Sequence, residues 1–144
     1  GGTIDKFIGD AIMVIFGAPK DMDAAEQAQR AARCALAMNK AMRELAGRWA
    51  KFDASHLCMR IGIHQGPAVV GNFGSKRRSD YTCIGPTVNF AARIESVAEP
   101  GTVYTSSAVK AHLSQNDFEP AGSFKMKGLE QEQALVKLVE QPLV

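Results

Sequence analysis

Two β-rich runs near the start of the chain, Thr3–Ile8 and Ala11–Phe16, are separated only by Gly9 and Asp10. This spacing predicts a two-residue hairpin, and glycine at the first central position accepts the positive φ of a type II′ turn. Asp10 is then held at the tip between two rigid strands, pointing away from the core. It is either a solvated turn residue, as Asp often is, or a carboxylate placed to hold a metal.

After the hairpin, Gly17-Ala18-Pro19 breaks the second strand. Asp23 with Glu26 three residues on resembles a capping box, opening a long helix to about Phe52. Ala24, Ala28, Ala31, Ala35, Met38, Met42, Leu45 and Trp49 recur at alternating steps of four and three. They form a buried stripe whose small N-terminal half lets the helix lie close against a sheet.

Leu57 to His64 alternates as a strand, with Leu57, Met59, Ile61 and Ile63 on one face and Cys58, Arg60, Gly62 and His64 on the other. Gln65-Gly66-Pro67 turns the chain into a partner strand at 68–71. A polar, basic loop at 74–80 follows, then a short strand at Tyr81 to Ile84. Pro86 opens a helix to about Val97, where proline suits the first helical position. Val103 to Thr105 reads as a short strand, and Ser106 or Ser107 as the cap of a small helix through Leu113. Phe118 to Val139 reads as a hairpin turning near Gly128 to Glu130. Interleaved strands, helices and hairpins argue an α+β fold with helices packed on a sheet.

The chain's 144 residues suffice for one domain with a substantial core, read as a single unit over 1–144. Seventeen basic against fifteen acidic side chains give a net charge of +2, too balanced for a general affinity for nucleic acid or acidic membranes. Cys34, Cys58 and Cys83 are odd in number and lack metal-ligand spacing, as expected of thiols serving as small core residues in a reducing compartment. No apolar run approaches the roughly 20 residues of a transmembrane helix, and a cytoplasmic location is expected.

Several side chains could carry chemistry. Asn89 and Arg93, four apart on the helix after Pro86, project from one face near its N-terminus. An amide and a guanidinium beside free backbone N–H groups favour anionic oxygens; an exposed helix face is the other reading. Arg60 could end at a sheet edge, pair with an acid, or hold a phosphate by its fork. Lys6 and Lys127 are weak signals alone, as is the basic loop. His64 reads as a packing or hydrogen-bonded residue, since no second ligand stands at metal spacing.

Taken together and in order, Lys6-x-x-Gly9-Asp10, Arg60-Ile61-Gly62-Ile63-His64-Gln65-Gly66 and Ile84-Gly85-Pro86-Thr87-Val88-Asn89-x-Ala91-x-Arg93 resemble the class III adenylyl/guanylyl cyclase catalytic domain. Met126-Lys127-Gly128 matches the motif before that domain's last strand, so the resemblance runs from Gly1 to about Val139. It implies a ferredoxin-like α+β core. It makes Asp10 the second of two metal-binding aspartates, serving two Mg²⁺ or Mn²⁺ ions per site. Lys6 and Thr82 fall at the purine-selecting positions, Asn89 and Arg93 at those that orient ribose and stabilise the transition state. Arg60 and Lys127 fall at those that hold the triphosphate.

The resemblance also implies a head-to-tail homodimer, one subunit supplying the aspartates and Arg60 and the other the remainder. ATP is the expected substrate, because Lys6 can donate to adenine N1 and the Thr82 hydroxyl can accept from N6. Guanylyl members place Glu and Cys at those positions, and Cys83, one position off, is expected on the other side of its strand. The family's first strand, with its first aspartate and the two helices after it, would precede Gly1, as would any sensor or membrane segment. Lacking that strand, the chain alone is expected to have little or no activity. A non-catalytic regulatory or nucleotide-binding domain, and a guanylate cyclase, are the alternatives.

Overall fold

A computed structural model describes residues 1–54 and 56–140. Ser55 and residues 141–144 of the expected single unit lie outside the described residues. The hairpin forms as expected, with β1 at Thr3–Ile8 and β2 at Ala11–Ile15. Gly9 takes φ +62° while Asp10 does not enter the left-handed region, which is the pattern of a type II′ turn. The β1–β2 register shifts between Ile4 and Lys6, leaving Asp5 as the extra residue of a β-bulge.

Helix α1 spans Ala24–Trp49, its first turn capped by Asp23, whose Oδ1 accepts from Glu26 N at 2.8 Å. The return half of a capping box is replaced by an ion pair from Glu26 to Arg30 at 2.6 Å. The buried stripe is Ala28, Ala31, Ala32, Ala35 and Asn39. Ala24 is exposed, and Met38, Met42, Leu45 and Trp49 are only half-buried, so the expected stripe holds in its small-residue half. Asn39, unexpected there, donates to Gly101 O at 3.1 Å and ties the helix to the turn it covers.

Strand β3 is confined to Ile61–Ile63, shorter than the expected Leu57–His64. Its ladder is parallel to β6 (Val103–Ser106) and covers three residue pairs, so 57–60 has no strand to pair with despite its alternation. Residues 68–71 do not partner β3 either. They begin β4 (Val69–Ser75), which pairs along its whole length with β5 (Arg78–Ile84). The expected basic loop is the tip and flanks of this hairpin. Helix α2 spans Pro86–Val97, matching the expectation, and the small helix α3 is Ser107–Lys110, shorter than expected. β7 (Phe118–Phe124) and β8 (Gln133–Leu138) form the last hairpin.

Strands β3-β6-β8-β7 make the main sheet, while β1–β2 and β4–β5 form separate two-stranded ladders. All four residues of β6 are buried, because helices cover both faces of the main sheet. On one face Ile94 of α2 and Ala98, just past its end, meet Tyr104, Met126 and Leu135; on the other Ala32 and Ala35 of α1 meet Val103 and Leu138. Ile94 is fully buried, a contribution of about 1.5–3 kcal/mol for such a side chain. Gly62 lets α2 sit directly on β3: a Cβ there would lie 2.5 Å from Ala91 O and 2.8 Å from Glu95 Cα. Of the three cysteines only Cys83 is buried; Cys58 is exposed rather than a core residue.

Candidate active site

An open cleft of about 490 Å³ lies where the first hairpin, the end of β5 and the start of α2 meet. Lys6, Ile8, Cys83, Pro86, Val88 and Asn89 contribute to its walls. The local sequence explains each placement. Lys6 follows the bulge in β1. Gly85, at φ +141°, turns the chain sharply out of β5, and Pro86 starts α2. Thr87 then donates to Pro67 O at 2.6 Å, fixing the helix entry against the preceding loop.

Thr82 is buried and is not among the residues lining the cleft; its hydroxyl donates to Asp5 Oδ2 at 2.7 Å, next to the lining residue Cys83. The same carboxylate accepts from Cys83 N at 3.2 Å, and its other oxygen lies 3.8 Å from Lys6 Nζ. Lys6 and Thr82, 76 residues apart, are thus brought together through Asp5. Cys83, expected to face away, is among the cleft residues; burial, and secondarily the Asp5 carboxylate, push its thiol pKa up. It is a neutral wall at pH 7 rather than a nucleophile.

Asn89 is exposed toward the cleft, while Arg93, one turn further along α2, is half-buried. The Arg93 guanidinium reaches the turn after Lys127: a Cβ on Gly128 would lie 3.4 Å from Arg93 Nη2. Gly128 takes φ +79°, so glycine is required by conformation as well as by the arginine's approach. Arg93 and the Lys127 loop thereby form a second basic locus, and neither residue is among those lining the cleft.

Arg60 and Asp10 are not among the cleft residues. Arg60 precedes β3 and bonds Glu95 Oε1 at 3.2 Å, the pairing with an acid that was one of its expected readings. Asp10 is exposed at the hairpin tip. Among the described residues no three His, Cys, Asp or Glu side chains gather to hold a metal. Asp5 cannot join Asp10, because its carboxylate is buried and already occupied. A lone exposed carboxylate fits a Mg²⁺ bound largely through substrate phosphates, for which one or two protein carboxylates suffice.

His64 is a structural residue, as expected. Its Nδ1 lies 2.7 Å from Ser106 Oγ, and its ring meets Phe90 edge-on at 4.5 Å. Burial lowers its pKa. Sequence reasoning missed Asp5; an acid directly before Lys6 was the visible signal, but nothing in the chain pairs it with Thr82.

The described residues hold no helix long and apolar enough to cross a membrane. The family model for the adenylate and guanylate cyclase catalytic domain matches residues 4–139. Adenylate cyclase 1 of Rhizobium meliloti is 38% identical over 130 residues, covering 88% of this chain and 19% of that protein. The chain therefore spans about a fifth of the length of that curated relative. Among solved structures, the adenylyl cyclase CyaB from P. aeruginosa superposes with a TM-score of 0.88 at 35% identity, covering 98% of this chain and 73% of that one. The guanylyl cyclase Cya2 superposes with a TM-score of 0.84 at 34% identity, covering 95% and 69%. With its fold, its motifs and nearly its whole length matched, the chain belongs to the adenylate and guanylate cyclase catalytic domain family.

Proposed function

We propose that the chain is a single catalytic-domain unit of an adenylate cyclase, which converts ATP to 3′,5′-cyclic AMP and pyrophosphate. The observation that carries this reading is the convergence of the Lys6 ammonium and the Thr82 hydroxyl on one carboxylate beside the cleft. An ammonium can donate to adenine N1, and a hydroxyl oxygen can accept from N6. Guanine offers the reverse pattern and would set its N1–H against the ammonium.

In this reading Asn89 orients the ribose from the helix start. The 3′-hydroxyl attacks the α-phosphorus in line as its proton passes to solvent, the O3′–P bond forms, and the bond from the α-phosphorus to pyrophosphate breaks. Arg93 meets the negative charge that grows on the phosphoryl oxygens, a contribution of about 3 kcal/mol for a well-placed donor. Lys127, on the loop Arg93 approaches, and Arg60 bind the β- and γ-phosphates. Asp10 supplies an oxygen to the divalent ions. Mg²⁺ or Mn²⁺, two per site, would neutralise the triphosphate and make the hydroxyl more acidic.

A head-to-tail homodimer completes the site, because Asp10 and Arg60 stand away from the cleft that Lys6 and Asn89 line. Exposed apolar side chains on the two small hairpins support it: Phe7 is 69% and Val69 62% exposed, with Ile8, Ile12 and Ile84 alongside. Such a patch suits burial against a second copy. The test is cyclic product from ATP or GTP with Mn²⁺, measured on the chain and on a domain of full family length. Cyclic AMP in preference to cyclic GMP supports the reading. Cyclic GMP overturns the base assignment, and nucleotide binding without product from either favours a regulatory domain.

A further inference from the structure

We infer that Asp5 is a positioning residue for base selection, locking the Thr82 hydroxyl so that it can only accept from a bound purine. This rests on the nucleotide-cyclase reading above and deepens it. Three observations on this chain carry it.

First, the β-bulge at Asp5 breaks the alternation of β1 and turns this side chain toward β5 rather than to solvent. Second, the Asp5 side chain is 1% exposed, yet its carboxylate is partnered, by Thr82 and Cys83 N on Oδ2 and by Lys6 near Oδ1. Third, Oδ2 already accepts from the Cys83 N–H and so acts as an acceptor toward Thr82 as well, which points the single hydrogen of the Thr82 hydroxyl at Asp5. Only lone pairs then remain for a ligand.

A free threonine hydroxyl is a rotor. It can accept from the adenine amino group or turn and donate to guanine O6, and alone it discriminates poorly. With its hydrogen committed 2.7 Å away on Asp5, the second option is closed. Guanine O6 would meet an oxygen lone pair, an unpaired and repulsive contact in a desolvated place. The same carboxylate draws the Lys6 ammonium to the cleft side of β1, so one buried acid orders both purine contacts. The bulge would otherwise be an unexplained cost, since it places a carboxylate out of water in a strand that could pair regularly.

The isosteric variant separates the acceptor from the charge. In Asp5→Asn the Cys83 N–H still requires an acceptor at the Oδ2 position, so the amide oxygen stays there and continues to receive the Thr82 hydrogen. Asp5→Ala removes that acceptor and frees the rotor. The experiment measures displacement of a fluorescent ATP analogue from the chain by ATP and by GTP, in the presence of Mn²⁺. The readout is the ratio of the two dissociation constants.

Wild type is expected to favour ATP. Asp5→Ala is expected to lower that preference by about tenfold, roughly one hydrogen bond's worth, chiefly by tightening GTP. Asp5→Asn is expected to keep the preference within about threefold. If Asp5→Ala does not fold, Asp5→Ser, which is too short to reach Thr82, makes the same test. Equal weakening of both nucleotides in the short variants, or Asp5→Asn matching Asp5→Ala, overturns the inference and leaves the adenylyl reading intact. A wild type that prefers GTP or binds neither overturns that reading, and the inference with it.

Discussion

Arg60 and Glu95 form an ion pair, Nε to Oε1 at 3.2 Å, across the contact where α2 rests on β3. Both side chains are nearly half exposed, so the pair contributes at most about 1 kcal/mol to stability. Its larger effect is to hold the Arg60 fork away from other anions. Glu95→Gln is expected to leave the urea midpoint almost unchanged and to tighten inorganic triphosphate several-fold. Calorimetric titration checks the second; no tightening would mean that Arg60 does not bind phosphate.

Gly62 beneath that pair is a steric requirement. The atoms a methyl would strike, Ala91 O and Glu95 N and Cα, are backbone and cannot turn aside. Gly62→Ala is expected to destabilise the fold by about 3 kcal/mol or to prevent its folding, through displacement of α2 from the sheet. Denaturant unfolding followed by circular dichroism measures it. An unchanged midpoint would mean that the helix has room to spare.

His64 makes stability depend on pH. Burial sets its folded pKa below the ordinary 6.5, so under acid the unfolded chain binds the proton more readily. Stability is therefore full above pH 6.5 and declines as pH falls through the folded value. Unfolding midpoints at pH 7.5 and 5.5 should differ in that sense, and His64→Gln should flatten the difference. A midpoint that rises toward acid in wild type would contradict the assignment.

Asp10 offers a clean separation of chemistry from folding. It is exposed at the turn and bonded to no other side chain among the described residues, so Asp10→Ala is expected to shift stability by no more than about 0.5 kcal/mol. In a domain of full family length the same change is expected to reduce cyclic product by at least about 100-fold, on the scale of losing an electrostatic stabiliser of the transition state. Product formation and thermal midpoint, measured on the same preparation, decide between them.

Local signals were legible and non-local pairings were not. Gly9 fixed the first turn, Asp23 the start of α1 and Pro86 the start of α2, because each acts within a few residues. Leu57 to Arg60 reads as strand from its alternation, but alternation says nothing about whether a partner lies alongside, and the ladder with β6 stops at Ile61. Residues 68–71 read as the partner of the strand behind them, but β4, which they begin, pairs with β5, ahead, along its whole length. Of the residues singled out by pattern, Lys6 and Asn89 line the cleft, while Thr82 and Arg93 do not. Asp5 was invisible because its meaning depends on a bulge and on a hydroxyl 77 positions away.

The two small hairpins belong to different ladders from the main sheet and from each other, and the floor of the cleft is made where they abut. Between them, the bonds from Thr82 and Cys83 to Asp5 act as the clasp. Opening that clasp need not disturb Ile94 or the buried strand β6. The hairpins around the cleft are thus expected to open before the main sheet, with amide protection below that of the core. Nucleotide binding should then register as slowed hydrogen exchange in both hairpins at once, while the main sheet keeps its own slow clock.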